Sequence, residues 1–294
     1  MKICVSKGIR SMYPYREMSE EEKQFVEWYK AHEEGKYEKP SMTADIAIFS
    51  VFGDSTSDTD NTAEKKLKLL LIKRGNHPCK DMYALPGGFV DKNETIDEAA
   101  ERELKEETGI ECGFLEQIRT FSEPGRDPRG WTMTGSYLAL IDASKYKIQA
   151  GDDAKEAVWF EVSMQKDELG RWDLQLRNGE TLLRAVLEDT AKVDREVQPR
   201  LQFVSSENIA FDHGIIIAYS ILALRQWMPT TRIAFRLLSE KFTLADLQQV
   251  HEAVLETTFE TAQFRKEMEE FVENTGEIRE EKDGKVFRIF REKQ

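Results

Sequence analysis

Glu103, Glu106 and Glu107 stand near the end of a segment, 96–108, whose pattern predicts a helix. Thr95 with Glu98 makes a capping box at its start, and Gly109 is suited to the left-handed position that closes it. At about 100° per residue, Ile96, Ala99 and Ala100 share one face, with Asp97, Glu98, Glu101 and Lys105 opposite. Continued through two more turns, the apolar face arrives at the three glutamates, clustered within about 100° of one another. Three apposed, buried carboxylates raise one another's pKa and oppose folding, and a hard divalent cation relieves this by taking oxygen ligands. Magnesium or manganese is the expected ion. A merely solvated acidic helix face is the competing explanation, and the flanking residues decide between the two.

Those residues are Gly88-Phe89-Val90-Asp91-Lys92-Asn93-Glu94, then seven positions, then Arg102-Glu103-Leu104-Lys105-Glu106-Glu107-Thr108-Gly109-Ile110. The pattern resembles the Nudix hydrolase box with every defining position filled. The resemblance implies an α+β fold, an α/β/α sandwich around a mixed sheet, in which Glu103, Glu106 and Glu107 hold the metal. It also implies that Arg102 orients the glutamates, that Gly88 lets the backbone approach the ion, and that Glu94 ties the loop to the helix. The reaction so implied is substitution at phosphorus: metal ions neutralise a pyrophosphate and acidify a bound water, with Glu106 and Arg102 among the catalytic groups.

Substrate choice is read from a second segment. Arg126-Asp127-Pro128-Arg129-Gly130 follows Pro124 beyond the box, and two guanidinium forks, Arg126 and Arg129, are suited to bracket a diphosphate. The competing reading is a turn whose Arg and Asp pair with each other. A proline near this spacing resembles the ADP-ribose pyrophosphatase branch, which implies cleavage of ADP-ribose to AMP and ribose 5-phosphate. Nudix enzymes often carry an extra acid on a loop before the strand that here starts near Val158, which makes Glu156 the candidate base and Asp153 its competitor. His213, in Phe211-Asp212-His213-Gly214, reads as a helix-start residue held by packing.

Positioning these groups requires strands, expected at 44–52, 66–73, 82–85, 115–121, 131–141 and 157–162, with a hairpin inserted near 172–187 around Asn178-Gly179. Residues 1–40 are expected to form a helical arm capped by Ser19 and Glu22, 41–208 the Nudix domain, and 209–229 an apolar connector helix. In 230–294, helices at 243–255 and 261–272 precede a hairpin turning at Asp283-Gly284, the order of a winged helix. The whole order resembles the Nudix-related transcriptional regulators of NAD and sugar metabolism. That likeness implies a homodimer whose Nudix module senses a nucleotide-sugar ligand and whose winged helix binds DNA.

Charge weighs against the DNA part, since 230–294 holds 11 basic and 14 acidic residues. Arg265, Lys266, Lys285 and Arg288 are its candidate phosphate contacts. A net charge of -13 disfavours unspecific attraction to nucleic acid or anionic membranes. Three cysteines, Cys4, Cys79 and Cys112, lack metal-site spacing and fit a reducing cytoplasm. No apolar run approaches the roughly 18 residues of a membrane span.

Overall fold

Strand β1, Ser41–Phe52, is buried along almost its whole length, and both its faces are covered. Its residues divide by parity: Ala44, Ile46 and Ile48 join one core, while Ala47, Phe49 and Val51 join another. A computed structural model describes residues 19–53, 64–111, 114–146, 154–191, 199–280 and 286–293. Asp153, Lys285 and the Asp283-Gly284 turn lie outside them.

On one side of β1 lies β2, Lys66–Arg74, antiparallel, and on the other β6, Thr132–Leu140, parallel, so the sheet is mixed. Short strands β3, Tyr83–Ala84, and β4, Gly87–Phe89, pair with β2 and β1. The sheet continues through β5, Leu115–Phe121, beyond β6, and through β7, Ala154–Lys166, beyond β2. The expected hairpin is β8, Trp172–Asn178, with β9, Thr181–Asp189, and Gly179 turns it at φ 54°. These strands extend the same sheet beyond β7, and β10, Leu201–Glu207, an element missed in the sequence, forms its edge.

Helix α2, Ile96–Thr108, covers the first face with Ala99, Ala100 and Leu104. Helix α3, His213–Trp227, covers the other, burying Ile216, Ile217, Ile221 and Leu224 completely. The apolar segment expected as a connector is therefore the second helical layer of the sandwich, and its apolar residues are spent inside the chain. Helix α1, Glu20–His32, has the Ser19–Glu22 capping box, buries no residue, and leaves Phe25, Trp28 and Tyr29 exposed.

The C-terminal part consists of α4, Leu244–Leu255, α5, Thr261–Met268, and the hairpin β11, Val272–Glu280, with β12, Val286–Glu292. Phe242 bonds Phe290 in both directions, a single antiparallel bridge onto β12 of that small sheet. Helix α5 stops four residues short of the expected Val272 because Val272 opens β11 and pairs with Glu292. Leu247, Val250 and Val254 of α4 share one apolar cluster with α3 and the large sheet. Among the described residues no helix is long and apolar enough to cross a membrane.

Asp246 pins this C-terminal part to the sheet. It caps α4 through the Thr243 amide at 2.9 Å and takes Lys65 Nζ at 2.6 Å and Arg279 Nη2 at 3.3 Å. Burial pushes its carboxyl up, but Lys65 and the Thr243 cap outweigh burial and hold it below the usual carboxylate range. A depressed carboxylate contributes stability that is complete above its unfolded pKa of roughly 3.9 and is lost as pH falls through the lower folded value. The midpoint of urea unfolding should therefore separate from that of Asp246→Asn at pH 5 and converge on it towards pH 2. Parallel profiles would remove this role from Asp246.

Candidate active site and nucleotide cavity

The caps of α2 form as the sequence requires: Thr95 accepts from the Glu98 amide at 3.1 Å, and Gly109 sits at φ 72° and donates to the Lys105 carbonyl. Tyr137, buried in β6, donates its hydroxyl to Asp97 and fixes the first turn against the sheet. The rest of the helix orientation follows from Ala99, Ala100 and Leu104 packing on Ile46, Ile48 and Leu70.

That orientation turns Glu103 inward, 9 % exposed, with Glu107 half-buried and Glu106 exposed. The expectation of three buried carboxylates therefore meets one, since Leu104 and Thr108 take the inward face of the last turns and leave Glu106 outside. Arg102 organises the group. It grips Glu94 with Nε at 3.1 Å and Nη2 at 2.7 Å, donates Nη1 to Glu103 at 2.6 Å and Glu106 at 3.1 Å, and reaches the Phe89 carbonyl at 3.0 Å. Arg102 is held well above its ordinary pKa, chiefly by Glu94. Glu94 is in turn held low by Arg102 and the Asp91 amide. Burial pushes Glu103 up, against the pull of Arg102.

Gly88 of β4 passes so close to Glu103 that a Cβ there would stand 2.1 Å from Oε1. Loop and carboxylate are shaped against each other, and the oxygen-only donors of Glu103, Glu106 and Glu107 fit a hard divalent ion. Among the described residues, no three such groups converge on one point as they stand. Arg102 Nη1, which reaches both Glu103 and Glu106, occupies the space between them.

A cavity of about 250 Å³ opens beside this group, lined by Gly87, Gly88, Phe89 and Glu107 on the box side. Arg74, Arg129 and Phe211 also line it, and its buried floor is Asp45, Arg126 and His213. The rings and guanidinium planes are interleaved: Arg129 lies 5.2 Å from the Phe89 centroid and 5.9 Å from that of Phe211, and Arg74 lies 4.9 Å from Phe211. Phe211 takes φ 52°, an uncommon conformation for a bulky residue, and by it the ring faces the cavity.

The two arginines expected to bracket a diphosphate are otherwise engaged. Arg126, 5 % exposed, donates Nε at 2.9 Å and Nη2 at 2.8 Å to Asp212 and reaches Asp45 at 3.3 Å. Arg129 grips Asp127 two residues back, through Nη2 at 2.7 Å and Nε at 3.0 Å. The turn reading of this segment thus describes Arg129, and Arg126 anchors β1 to the start of α3. Asp45 and Asp212, its partners, were not singled out in the sequence, although a carboxylate within the apolar run Ala44-Asp45-Ile46 is itself a signal.

Glu156 departs from its expected place. Strand β7 begins at Ala154 because it pairs Glu156 with Lys73 on β2, so Glu156 lies in the sheet and not on a loop before it. It takes Lys73 Nζ at 3.4 Å and the Tyr83 hydroxyl at 3.3 Å, and it is absent from the cavity wall. In the C-terminal part, Arg265, Lys266 and Arg288 are exposed on α5 and β12. Exposed Glu267, Glu269, Glu270 and Glu273 stand near them.

Residues 59–197 match the model of the NUDIX domain, and residues 234–291 match the NrtR DNA-binding winged helix domain. The chain is 31% identical over 239 residues to the ADPR responsive transcriptional repressor NtrR of Acinetobacter baylyi, covering 81% of this chain and 75% of that one. It is 46% identical over 119 residues to the ADP-ribose pyrophosphatase of Methanocaldococcus jannaschii, covering 40% and 69%. Among solved structures, Shewanella oneidensis NrtR complexed with a 27mer DNA is similar at 26% identity and a TM-score of 0.57, over 86% of this chain and 93% of that one.

Proposed function

The chain belongs to the Nudix family, in the branch that carries an NrtR winged helix, and from that premise we propose a DNA-binding regulator that responds to ADP-ribose and retains pyrophosphate hydrolysis. The observation that carries the regulatory half is the single apolar cluster running from the cavity's sheet through α3 into α4. A change at the cavity therefore meets no flexible linker on its way to the winged helix. The names of the Acinetobacter and Shewanella relatives support ADP-ribose as the signal and DNA as the partner.

The hydrolytic half rests on the geometry around Arg102. Glu103, Glu106 and Glu107 would hold magnesium or manganese, which supplies charge neutralisation and an acidified water. Arg102 orients the first two carboxylates by hydrogen bonds, Glu94 locks Arg102, and Gly88 leaves the space Glu103 needs. Phe89, Phe211, Arg74 and Arg129 offer stacking faces for a nucleobase. Arg265, Lys266 and Arg288 are the proposed phosphate contacts on DNA, and two copies of the chain would present two such faces to a two-fold site.

A mobility shift on DNA upstream of its own coding sequence tests the first half. We expect a specific band that weakens with salt and is released by ADP-ribose, and no specific band at any salt would end the regulatory reading. Product analysis with ADP-ribose tests the second, with AMP and ribose 5-phosphate expected with magnesium and not after chelation. No turnover under either condition would leave a sensor without hydrolysis.

A further inference from the structure

His213 and Asp45 meet on the cavity floor, and neither has a part in the chemistry at Glu103 and Glu106. His213 opens α3 and is 5 % exposed, and its Nδ1 accepts the Leu85 amide at 2.9 Å. A neutral imidazole has one donor and one acceptor nitrogen, so with Nδ1 accepting, the hydrogen sits on Nε2. Burial keeps the ring below its usual pKa, against Asp45 and Asp212, so it is neutral at pH 7. Among the described residues Nε2 makes no hydrogen bond: its neighbour, Asp45 Oδ2, lies 3.8 Å away, beyond the reach of one. A buried donor thus faces the cavity beside a buried acceptor.

We propose that His213 and Asp45 together read one sugar hydroxyl of the bound nucleotide sugar, the hydroxyl oxygen accepting from His213 Nε2 and its hydrogen going to the Asp45 carboxylate. Two groups 3.8 Å apart can both reach a single oxygen at ordinary hydrogen-bond lengths of about 2.8 Å. A hydroxyl is the group that accepts and donates at one atom. Phosphate, which only accepts, is disfavoured at this point because it has no hydrogen to give the Asp45 carboxylate and would meet a like charge there. Arg126 is then a positioning residue that holds Asp45 in place and tempers its charge. Gly87 completes the corner, since a Cβ on it would stand 3.0 Å from Asp45 Oδ1 and 2.2 Å from the Ala44 carbonyl.

This inference rests on the proposed ADP-ribose reading and names the part of the ligand that the corner takes. The test is equilibrium binding to the full chain without magnesium, using ADP-ribose, analogues lacking one hydroxyl on either ribose, and IDP-ribose. With the protein unchanged, deleting the one hydroxyl that is read is expected to weaken binding about tenfold or more, since it leaves the buried His213 Nε2 hydrogen without an acceptor. In His213→Ala that difference should vanish, and in His213→Gln, whose amide can accept from Leu85 and still donate, part of it should return. Equal affinity for ADP-ribose and every deoxy analogue would overturn the proposal while leaving ADP-ribose as ligand. A His213→Ala change that instead abolishes only the preference for ADP-ribose over IDP-ribose would reassign the corner to a base edge and also overturn it. If ADP-ribose itself fails to bind, the ligand reading and this inference fall together.

Discussion

Gly88→Ala is expected to lower ADP-ribose hydrolysis about a hundredfold or more, while DNA binding without ligand persists. The new Cβ would stand 2.1 Å from Glu103 Oε1, 2.4 Å from Cδ and 2.7 Å from Oε2, so no rotation of the carboxylate about its own bond clears it. Glu103 cannot swing aside at low cost, because it is buried and tied to Arg102 at 2.6 Å. Either the carboxylate or strand β4 must shift by about an ångström, a displacement of the size that costs about 10² in rate when a catalytic constellation depends on it. Overpacking should also cost about 1–3 kcal/mol of stability. Initial rates across a magnesium titration, beside a urea unfolding curve, separate the two effects. Unchanged rates at unchanged magnesium dependence would show that Glu103 does not hold the ion.

Helix α2 was legible to the residue because its determinants are local: Thr95 and Glu98 are three apart, and Gly109 acts on Lys105. The same holds for the hairpin at Asn178-Gly179. What was not legible depends on partners distant in the chain. Arg126 meets Asp212 across 86 positions and Asp45 across 81, so its sequence neighbours gave no hint that a diphosphate-binding fork was already occupied. The polar run 151–156 looks like a loop, whereas pairing with Lys73 draws Glu156 into the sheet. The apolar residues on every side of α3 announced burial but not against what, and a helix between two modules and a sandwich layer share that pattern. His213 reads in the sequence as packing. The hydrogen bond its Nδ1 accepts from the Leu85 amide, 128 positions away, is what fixes the ring's tautomer and gives Nε2 a hydrogen to offer.

Arg225→Ala should be the most destabilising single change at the junction, and it should uncouple the two halves. Arg225 lies near the end of α3, opposite the end that carries Asp212 and His213. Its guanidinium donates to the Met164 carbonyl of β7 at 2.7 Å and the Val254 carbonyl of α4 at 3.0 Å, and pairs with Glu256 at 3.2 Å. Glu256 in turn accepts the Met164 amide at 2.9 Å and sits at φ 48°, a conformation this contact helps hold. Both side chains are largely buried, at 17% and 16% exposure. Removing the cation leaves a buried carboxylate unpaired and two carbonyls without a donor, which costs about 3–5 kcal/mol. Replacing both residues by apolar ones should recover much of that loss, because the uncompensated charge is gone. Ligand affinity at the cavity is expected to stay within about twofold in Arg225→Ala, since the cavity lies at the other end of α3, while release of DNA by ADP-ribose is lost. By linkage, a change that leaves both binding sites but not their coupling must act on the element between them. Urea unfolding, calorimetric titration of ADP-ribose and a mobility shift with and without ligand test the three parts separately. A loss of stability below about 1 kcal/mol would show that the pair adds no more than a surface ion pair, and ligand-induced release that survives in Arg225→Ala would show that α3 does not carry the signal through this contact.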